Sequence, residues 1–99
     1  MSARILVVDD MLPNIKLLEA KLTKEYYDVI TAQDGFECIE KARKFSPDII
    51  LLDVMMPGMD GFETCRKLRA DPELSHIPIV MLTALSEKES RIHGLEVGA

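Results

Sequence analysis

Residues 49–53 of the chain read IILLD, four apolar residues followed by an aspartate. Two other runs have the same character, ILVV at 5–8 and IVML at 79–82, and a weaker run, VITA, lies at 29–32. Short runs that are apolar at every position, rather than at alternate positions, are typical of strands buried on both faces of a parallel sheet. The four runs therefore predict a parallel sheet, with residues 29–32 as an edge strand.

Between the predicted strands, apolar residues recur at helical spacing. The chain thus alternates strand and helix without a linker or low-complexity segment, and we interpret residues 1–99 as a single domain. This alternation predicts the α/β class, an open parallel sheet covered by helices on both faces. The predicted buried stripes of the first three helices are Ile15, Leu18 and Leu22; Phe36, Ile39 and Ala42; and Phe62, Cys65 and Leu68.

Cap residues indicate where the helices begin. Pro13 suits a first helical turn. The tetrapeptide Asp-Gly-Phe-Glu occurs at 34–37 and again at 60–63, and each copy places an acid three residues after a cap residue. Ser86 begins a similar pattern. We interpret the repeat as two uses of one helix entry and not as a duplicated domain.

The bulk properties exclude several classes of partner. A net charge of −5 argues against sequence-independent nucleic-acid binding and against an anionic membrane surface. No apolar run approaches 18 residues, and the N-terminal run is too short for a secretory signal, so we expect a cytoplasmic protein without membrane insertion. Cys38 and Cys65 lack metal-binding spacing and are expected to be buried thiols in a reducing compartment.

The predicted strands end in residues that carry chemistry. Asp9 and Asp10 follow the first run, Asp53 follows the third and Thr83 follows the fourth. Ligands of open parallel sheets bind in the crevice at the carboxyl ends of the strands. Any one of these residues alone is more often a turn former or helix cap, but three carboxylates and a hydroxyl together favour a site. Hard oxygen ligands suit Mg²⁺, which neutralises charge during in-line phosphoryl transfer.

Three segments resemble the motifs of response-regulator receiver domains: VVDD at 7–10, LLDVMMPGMDG at 51–61 and IPIVMLTA at 77–84. Gly94 and the pair Gly98-Ala99 also fall where such domains have glycine and Gly-Ala. The resemblance covers the whole chain, and the second segment is highly specific. It implies a flavodoxin-like sheet of order 2-1-3-4-5, of which this chain would supply 2-1-3-4.

The resemblance also implies a role for each site residue. Asp53 would accept a phosphoryl group from the phosphohistidine of a histidine kinase or phosphotransferase protein, and so control an output domain or partner. Asp10 and Asp53 would bind Mg²⁺ directly, or Mn²⁺ in its place. Asp9 would bind the metal directly or through water, and the backbone carbonyl of Met55 would be a further ligand.

Two further implied roles concern the switch that reports phosphorylation. Thr83 would move to hydrogen-bond the phosphoryl oxygen, and Ala84 would leave space beside it. The face formed by Thr83 and the last helix would then change conformation.

Within the family, Leu17–Thr23, Glu25–Tyr27 and Cys65–Leu68 resemble the N-terminal receivers of PleD-type regulators, whose output domain is a diguanylate cyclase. This narrower resemblance implies that the chain is not itself an enzyme. It would be a phosphoacceptor that assists its own phosphoryl transfer, within a parent protein that acts in c-di-GMP signalling.

Receivers usually have a fifth strand and helix, which bring a lysine to the phosphoryl group and an aromatic residue that moves with the threonine. No counterpart follows Thr83 here, so we interpret the chain as incomplete at its C-terminus. Residues 79–82 are too apolar for an exposed edge strand. We therefore expect a homodimer or domain swap through the strand at 77–83 and the helix at 86–97.

Other interpretations are weaker. A phosphatase of the haloacid-dehalogenase type needs a second aspartate two residues after the first, where this chain has Leu12. A nucleotide or flavin binder needs a glycine- or hydroxyl-rich first turn. A third alternative, a receiver-like interaction or dimerisation module that takes no phosphate, is also compatible with the sequence.

We expect the methionines at 55, 56 and 59 to pack the loop rather than bind metal, and His76 and His93 to be surface residues.

Overall fold

The structure, a computed structural model, describes residues 2–82. Thr83, Ala84, His93 and the predicted helix at 86–97 therefore lie outside the described residues. Within this part the chain forms four strands and three helices in strict alternation: β1 Arg4–Val8, α1 Leu12–Lys24, β2 Asp28–Ala32, α2 Gly35–Phe45, β3 Ile49–Asp53, α3 Gly61–Ala70 and β4 Ile79–Leu82. No helix in this part of the chain is both long and apolar enough to cross a membrane.

All four strands are parallel, and their order in the sheet is β2-β1-β3-β4. The predicted α/β fold is therefore confirmed, with residues 28–32 as an edge strand. In the register of the sheet, Val8 lies opposite both Ala32 and Leu52. The carboxyl ends of β1 and β3 are consequently level, which brings the residues that follow them to one point on the sheet edge.

The helices cover both faces of the sheet. The strand order runs one way from β1 to β2 and the other way from β1 to β3 and β4, so right-handed crossovers place α1 on one face and α2 with α3 on the other. The main buried cluster lies under α2 and α3, while Ile15 of α1 is buried outside that cluster. Cluster members from the strands and the two helices include Leu6, Val8, Ile50, Leu52, Cys38, Ala42, Cys65 and Leu68.

The predicted helix entries are present. The side chains of Asp34 and Asp60 accept hydrogen bonds from the backbone N–H groups of Glu37 and Glu63, at 2.7 and 2.8 Å. Each aspartate thus satisfies a donor that the first turn of a helix leaves unpaired. Pro13 is in the first turn of α1, as expected.

The predicted buried stripe of α2 is wrong at its first residue. The buried residues of α2 are Gly35, Cys38 and Ala42, whereas Phe36 is 68% exposed and Ile39 is only partly buried. The sequence of α2 is compatible with two apolar stripes, one that begins at Gly35 and one that begins at Phe36. Successive residues of a helix point about 100° apart, so only one of these two residues can face the core. The stripe that buries a glycine lets α2 approach its neighbours more closely. In α3 the predicted stripe is confirmed, since Cys65 and Leu68 are buried and Phe62 packs against the core.

Candidate functional site

Three carboxylates meet at the edge of the sheet where β1 and β3 end. Asp9, Asp10 and Asp53 each offer a carboxylate oxygen, and these three oxygens lie within 4.8 Å of one another. Asp9 is 7% exposed and Asp53 is 4% exposed, while Asp10 is half-buried. The cluster lies where the strand order reverses between β1 and β3, which is the usual ligand site of such sheets.

Backbone hydrogen bonds hold the two buried carboxylates in place. The N–H of Asp9 donates to the carbonyl of Ala32 at 3.1 Å, which extends the β1–β2 pairing by one residue. Asp9 Oδ1 accepts the N–H of Met11 at 2.8 Å, and Asp53 Oδ1 accepts the N–H of Met55 at 3.3 Å. In each case the aspartate holds the N–H two residues later, a turn geometry that short acidic side chains favour.

Gly61 brings α3 against the end of β3, a role that the sequence pattern did not reveal. Its N–H donates to the carbonyl of Val54 at 3.0 Å. A Cβ at this position would overlap the carbonyl oxygen of Asp53 and lie 2.8 Å from Val54 Cα. In the sequence, Gly61 belongs to a helix entry and ends the motif at 51–61, but neither pattern predicts this contact, because the closeness of two backbones is a tertiary property. The repeated Asp-Gly at both helix starts was the available signal.

The electrostatics of the site favour a cation. Burial and, to a smaller extent, the neighbouring Asp9 charge together raise the pKa of Asp53 to about 7, against the opposing hydrogen bond from Met55 N–H. None of the four salt bridges among residues 2–82 includes Asp9, Asp10 or Asp53. Three oxygen ligands with little neutralising charge around them are the donor set that a small hard divalent cation prefers.

The three methionines of the loop after Asp53 differ in their burial. Met56 and Met59 are buried at 6% and 5% exposure, as expected for loop packing, whereas Met55 is 63% exposed beside the carboxylates. His76 is exposed, and Cys38 and Cys65 are buried free thiols, in agreement with the sequence predictions. Thr83 and Ala84, the two predicted switch residues, lie beyond the residues that the structure describes.

A parallel sheet of this order with an acidic cluster at its switch point agrees with the receiver class that the sequence motifs resemble. The response regulator receiver domain family matches residues 5–99, and the chain belongs to this family. It is thus a receiver domain of two-component signalling, a class that accepts phosphoryl groups.

Individual relatives extend this assignment. The chain is 64% identical over 99 residues to the response regulator PleD of Caulobacter vibrioides, and it spans 22% of that protein's length. It is 48% identical over 99 residues to the alkaline phosphatase synthesis transcriptional regulatory protein PhoP of Bacillus subtilis, and it spans 40% of that relative. Among solved structures, the chemotaxis protein CheY4 of Vibrio cholerae superposes with a TM-score of 0.89 at 37% identity, covering all of this chain and 82% of that one.

Proposed function

We propose that Asp53 is the phosphoacceptor of this receiver and that its phosphorylation requires a divalent cation held by Asp9 and Asp10. The observation that supports this proposal is the burial of Asp53 at the end of β3, with oxygens of two other carboxylates within 4.8 Å. A buried carboxylate without a cationic partner among the described residues has little structural purpose, because its charge opposes folding.

The proposed reaction is an in-line transfer to a carboxylate oxygen. Asp53 Oδ1 accepts the N–H of Met55, which leaves Oδ2 to attack phosphorus. A new O–P bond forms as the P–N bond of a phosphohistidine breaks. The electron pair of that bond returns to the imidazole nitrogen, which then takes up a proton. The product is an acyl phosphate on Asp53, and the chain's part is to position its carboxylate.

The residues present fit Mg²⁺. Asp9, Asp10 and Asp53 would hold the ion, with the backbone carbonyl of Met55 as a fourth ligand, and Mn²⁺ could replace it because it accepts the same oxygen ligands. When bound, the ion would neutralise charge on the phosphoryl oxygens. Asp9 keeps Oδ1 on the N–H of Met11, so it would offer the ion its Oδ2, directly or through water.

The remaining parts of the proposal concern the wider protein. The donor would be a histidine kinase or phosphotransferase protein. Thr83 and Ala84 would report the phosphoryl group to an output domain or partner in the cytoplasm. The 64% identity to PleD supports a parent protein in c-di-GMP signalling, of which this chain would be the receiver. A homodimer or domain swap through residues 77–83 and 86–97 stays a prediction.

Intact-mass spectrometry after incubation with acetyl phosphate and Mg²⁺ tests the proposal. We expect the mass of one phosphoryl group on the protein, its absence when Mg²⁺ is chelated, and its absence in Asp53→Asn. Glu73→Gln, which removes an exposed carboxylate from the α3–β4 loop, is the matched control and should be phosphorylated normally. A phosphoryl group retained in a folded Asp53→Asn protein would refute the assignment. No mass gain in the unaltered protein would favour the interaction module.

A further inference from the structure

The first residue of α2, Gly35, lies so close to α3 that it has no room for a side chain. Gly35 is buried. A Cβ at this position would overlap Thr64 Oγ1 and would lie 2.8 Å from Met59 Sδ and 3.2 Å from Met59 Cβ. The sulfur is near the end of a flexible side chain and can move aside, whereas the branched side chain of Thr64 is stiff. The beginning of α2 therefore packs directly on α3 and on the loop that joins β3 to α3.

The hydroxyl of Thr64 is held in place by the first turn of α3. Thr64 is fully buried, and its Oγ1 donates a hydrogen bond to the carbonyl of Asp60 at 2.8 Å. The N–H of Thr64 donates to the same carbonyl at 2.9 Å. Asp60 is the N-cap of α3, so both hydrogen bonds connect Thr64 to the beginning of that helix. A group that pressed on Thr64 Oγ1 would consequently displace the beginning of α3 as well as one side chain.

The first turn of α3 is itself in close contact with the end of β3. Gly61 donates its N–H to the carbonyl of Val54 at 3.0 Å, and a Cβ on Gly61 would overlap the carbonyl oxygen of Asp53. Asp53 Oδ1 accepts the N–H of Met55 at 3.3 Å. A series of close contacts therefore runs from α2, through the first turn of α3, to the residues that would hold the cation.

The beginning of α2 is also connected to Asp9, on the other side of the site. The carbonyl of Ala32, at the end of β2, accepts the N–H of Asp9 at 3.1 Å. Only two residues separate Ala32 from Gly35. Contacts from the beginning of α2 thus reach both buried carboxylates, Asp9 through the end of β2 and Asp53 through α3.

From these contacts we propose that Gly35 is a positioning residue for the divalent cation of the site, an inference that rests on the proposed function. The contact between Gly35 and Thr64 sets how closely the first turn of α3 approaches the end of β3. A side chain at residue 35 would displace these elements by roughly 1 Å, since non-bonded atoms pack best at about 3.5–4.0 Å. Mg²⁺ requires nearly octahedral ligands at about 2.0–2.1 Å, whereas Ca²⁺ accepts oxygen ligands in flexible geometry at about 2.3–2.6 Å. The displacement should therefore reduce the affinity for Mg²⁺ more than the affinity for Ca²⁺.

Isothermal titration calorimetry with Mg²⁺ and, separately, with Ca²⁺ tests this proposal, at a temperature where circular dichroism shows each variant to be folded. We expect Gly35→Ala to raise the dissociation constant of Mg²⁺ about tenfold or more and that of Ca²⁺ less than about threefold. General destabilisation would not change this ratio, because both ions bind the same folded protein. Ala42→Gly is the matched control, since Ala42 is fully buried two turns further along the same side of α2. It weakens the helix without adding an atom, so both constants should stay within about twofold.

Variants of Thr64 show whether the effect passes through this residue. Thr64→Ala removes the hydroxyl that the new Cβ would meet, so Gly35→Ala/Thr64→Ala should bind Mg²⁺ within about threefold of Thr64→Ala alone. If Gly35→Ala does not fold, Thr64→Val decides instead, because valine keeps the shape of threonine but cannot donate to the carbonyl of Asp60. We then expect Mg²⁺ binding to weaken at least about threefold, with Ca²⁺ binding unchanged.

The proposal is overturned if the folded Gly35→Ala protein binds Mg²⁺ as tightly as the unaltered protein, or if it loses affinity for both ions equally. It is also overturned if Ala42→Gly weakens Mg²⁺ binding as much as Gly35→Ala, or, where Gly35→Ala does not fold, if Thr64→Val binds Mg²⁺ normally. These outcomes leave the proposed function intact. Absence of Mg²⁺ binding in the unaltered protein would instead overturn the proposed function, and this inference with it.

Discussion

Replacing Asp53 by asparagine should stabilise the metal-free protein, although it removes the proposed phosphoacceptor. The pKa of Asp53 rises from an ordinary value of 3.8 to about 7, first because the carboxyl is buried and second because Asp9 lies beside it. In the unfolded chain the same carboxyl ionises freely. Between about pH 4 and pH 7 the unfolded chain is therefore ionised while the folded protein still holds the proton, which favours unfolding, and the full rise in pKa corresponds to about 4 kcal/mol.

The pH dependence follows from the sign of this shift. Well below the ordinary pKa of 3.8 the carboxyl is protonated in both states, so Asp53 does not reduce stability there. Stability is lost as the pH rises, with the full loss reached above the folded-state pKa of about 7. Asparagine is neutral throughout and can still accept the N–H of Met55. We expect Asp53→Asn to be about 3 kcal/mol more stable than the unaltered protein at pH 8, or roughly 10–20 °C in melting temperature.

Urea unfolding with chelator at pH 4 and pH 8 measures the effect. The difference between the two proteins should fall below about 1 kcal/mol at pH 4, because the ionised fraction of Asp53 in the unfolded chain falls with pH. Added Mg²⁺ should stabilise the unaltered protein at pH 8, by about 2.7 kcal/mol at a hundred times its dissociation constant, and Asp53→Asn much less. Glu73→Gln should behave as the unaltered protein. Equal stability of Asp53→Asn and the unaltered protein at pH 8 without metal would refute this reasoning.

Three further predictions concern the packing that holds the site, each measured by urea unfolding at one pH. Gly61→Ala should lower the free energy of unfolding by about 3 kcal/mol, because its Cβ would overlap the carbonyl oxygen at the end of β3. Gly58→Ala should lower it by only about 1 kcal/mol, because the strain comes from the positive φ of 76° and no atom lies within 4 Å. Equal losses in the two variants would contradict the close approach of α3 to β3. Asp34→Ala should lower the free energy of unfolding by about 1 kcal/mol, whereas Asp34→Asn should leave it almost unchanged, because asparagine can also cap the helix. An equal loss in both variants would show that the hydrogen bond of the cap does not stabilise the protein. Phe62→Ala should cost about 2 kcal/mol and Phe36→Ala less than about 0.5 kcal/mol, an order that would be reversed if Phe36 were part of the core.

Much of the fold could be predicted from residues that report their surroundings locally. The uniformly apolar runs at 5–8 and 49–52 indicated buried parallel strands, because a strand covered on both faces has no solvent side to keep polar. The run at 79–82 also forms a parallel strand, but its predicted burial on both faces is wrong at Val80, which is 41% exposed. Asp34 and Asp60 indicated helix starts, because a cap acts within one turn of its own helix. The strand order 2-1-3-4 came from resemblance to the receiver family, since apolar runs do not state which strands are neighbours.

What the sequence predicted by itself was which residues would carry the chemistry: carboxylates after β1 and at the end of β3, with Asp53 inside the most specific motif. Only the tertiary structure decided that three of their oxygens lie within 4.8 Å, that burial raises the pKa of Asp53, and that Gly61 carries no side chain because two backbones meet there. It also placed Phe36 at the surface and its counterpart Phe62 against the core. The physical reason is the same in each case. Periodicity and caps depend on a residue's near neighbours in the chain, whereas distance, burial and charge at a site depend on segments that folding brings together from far apart.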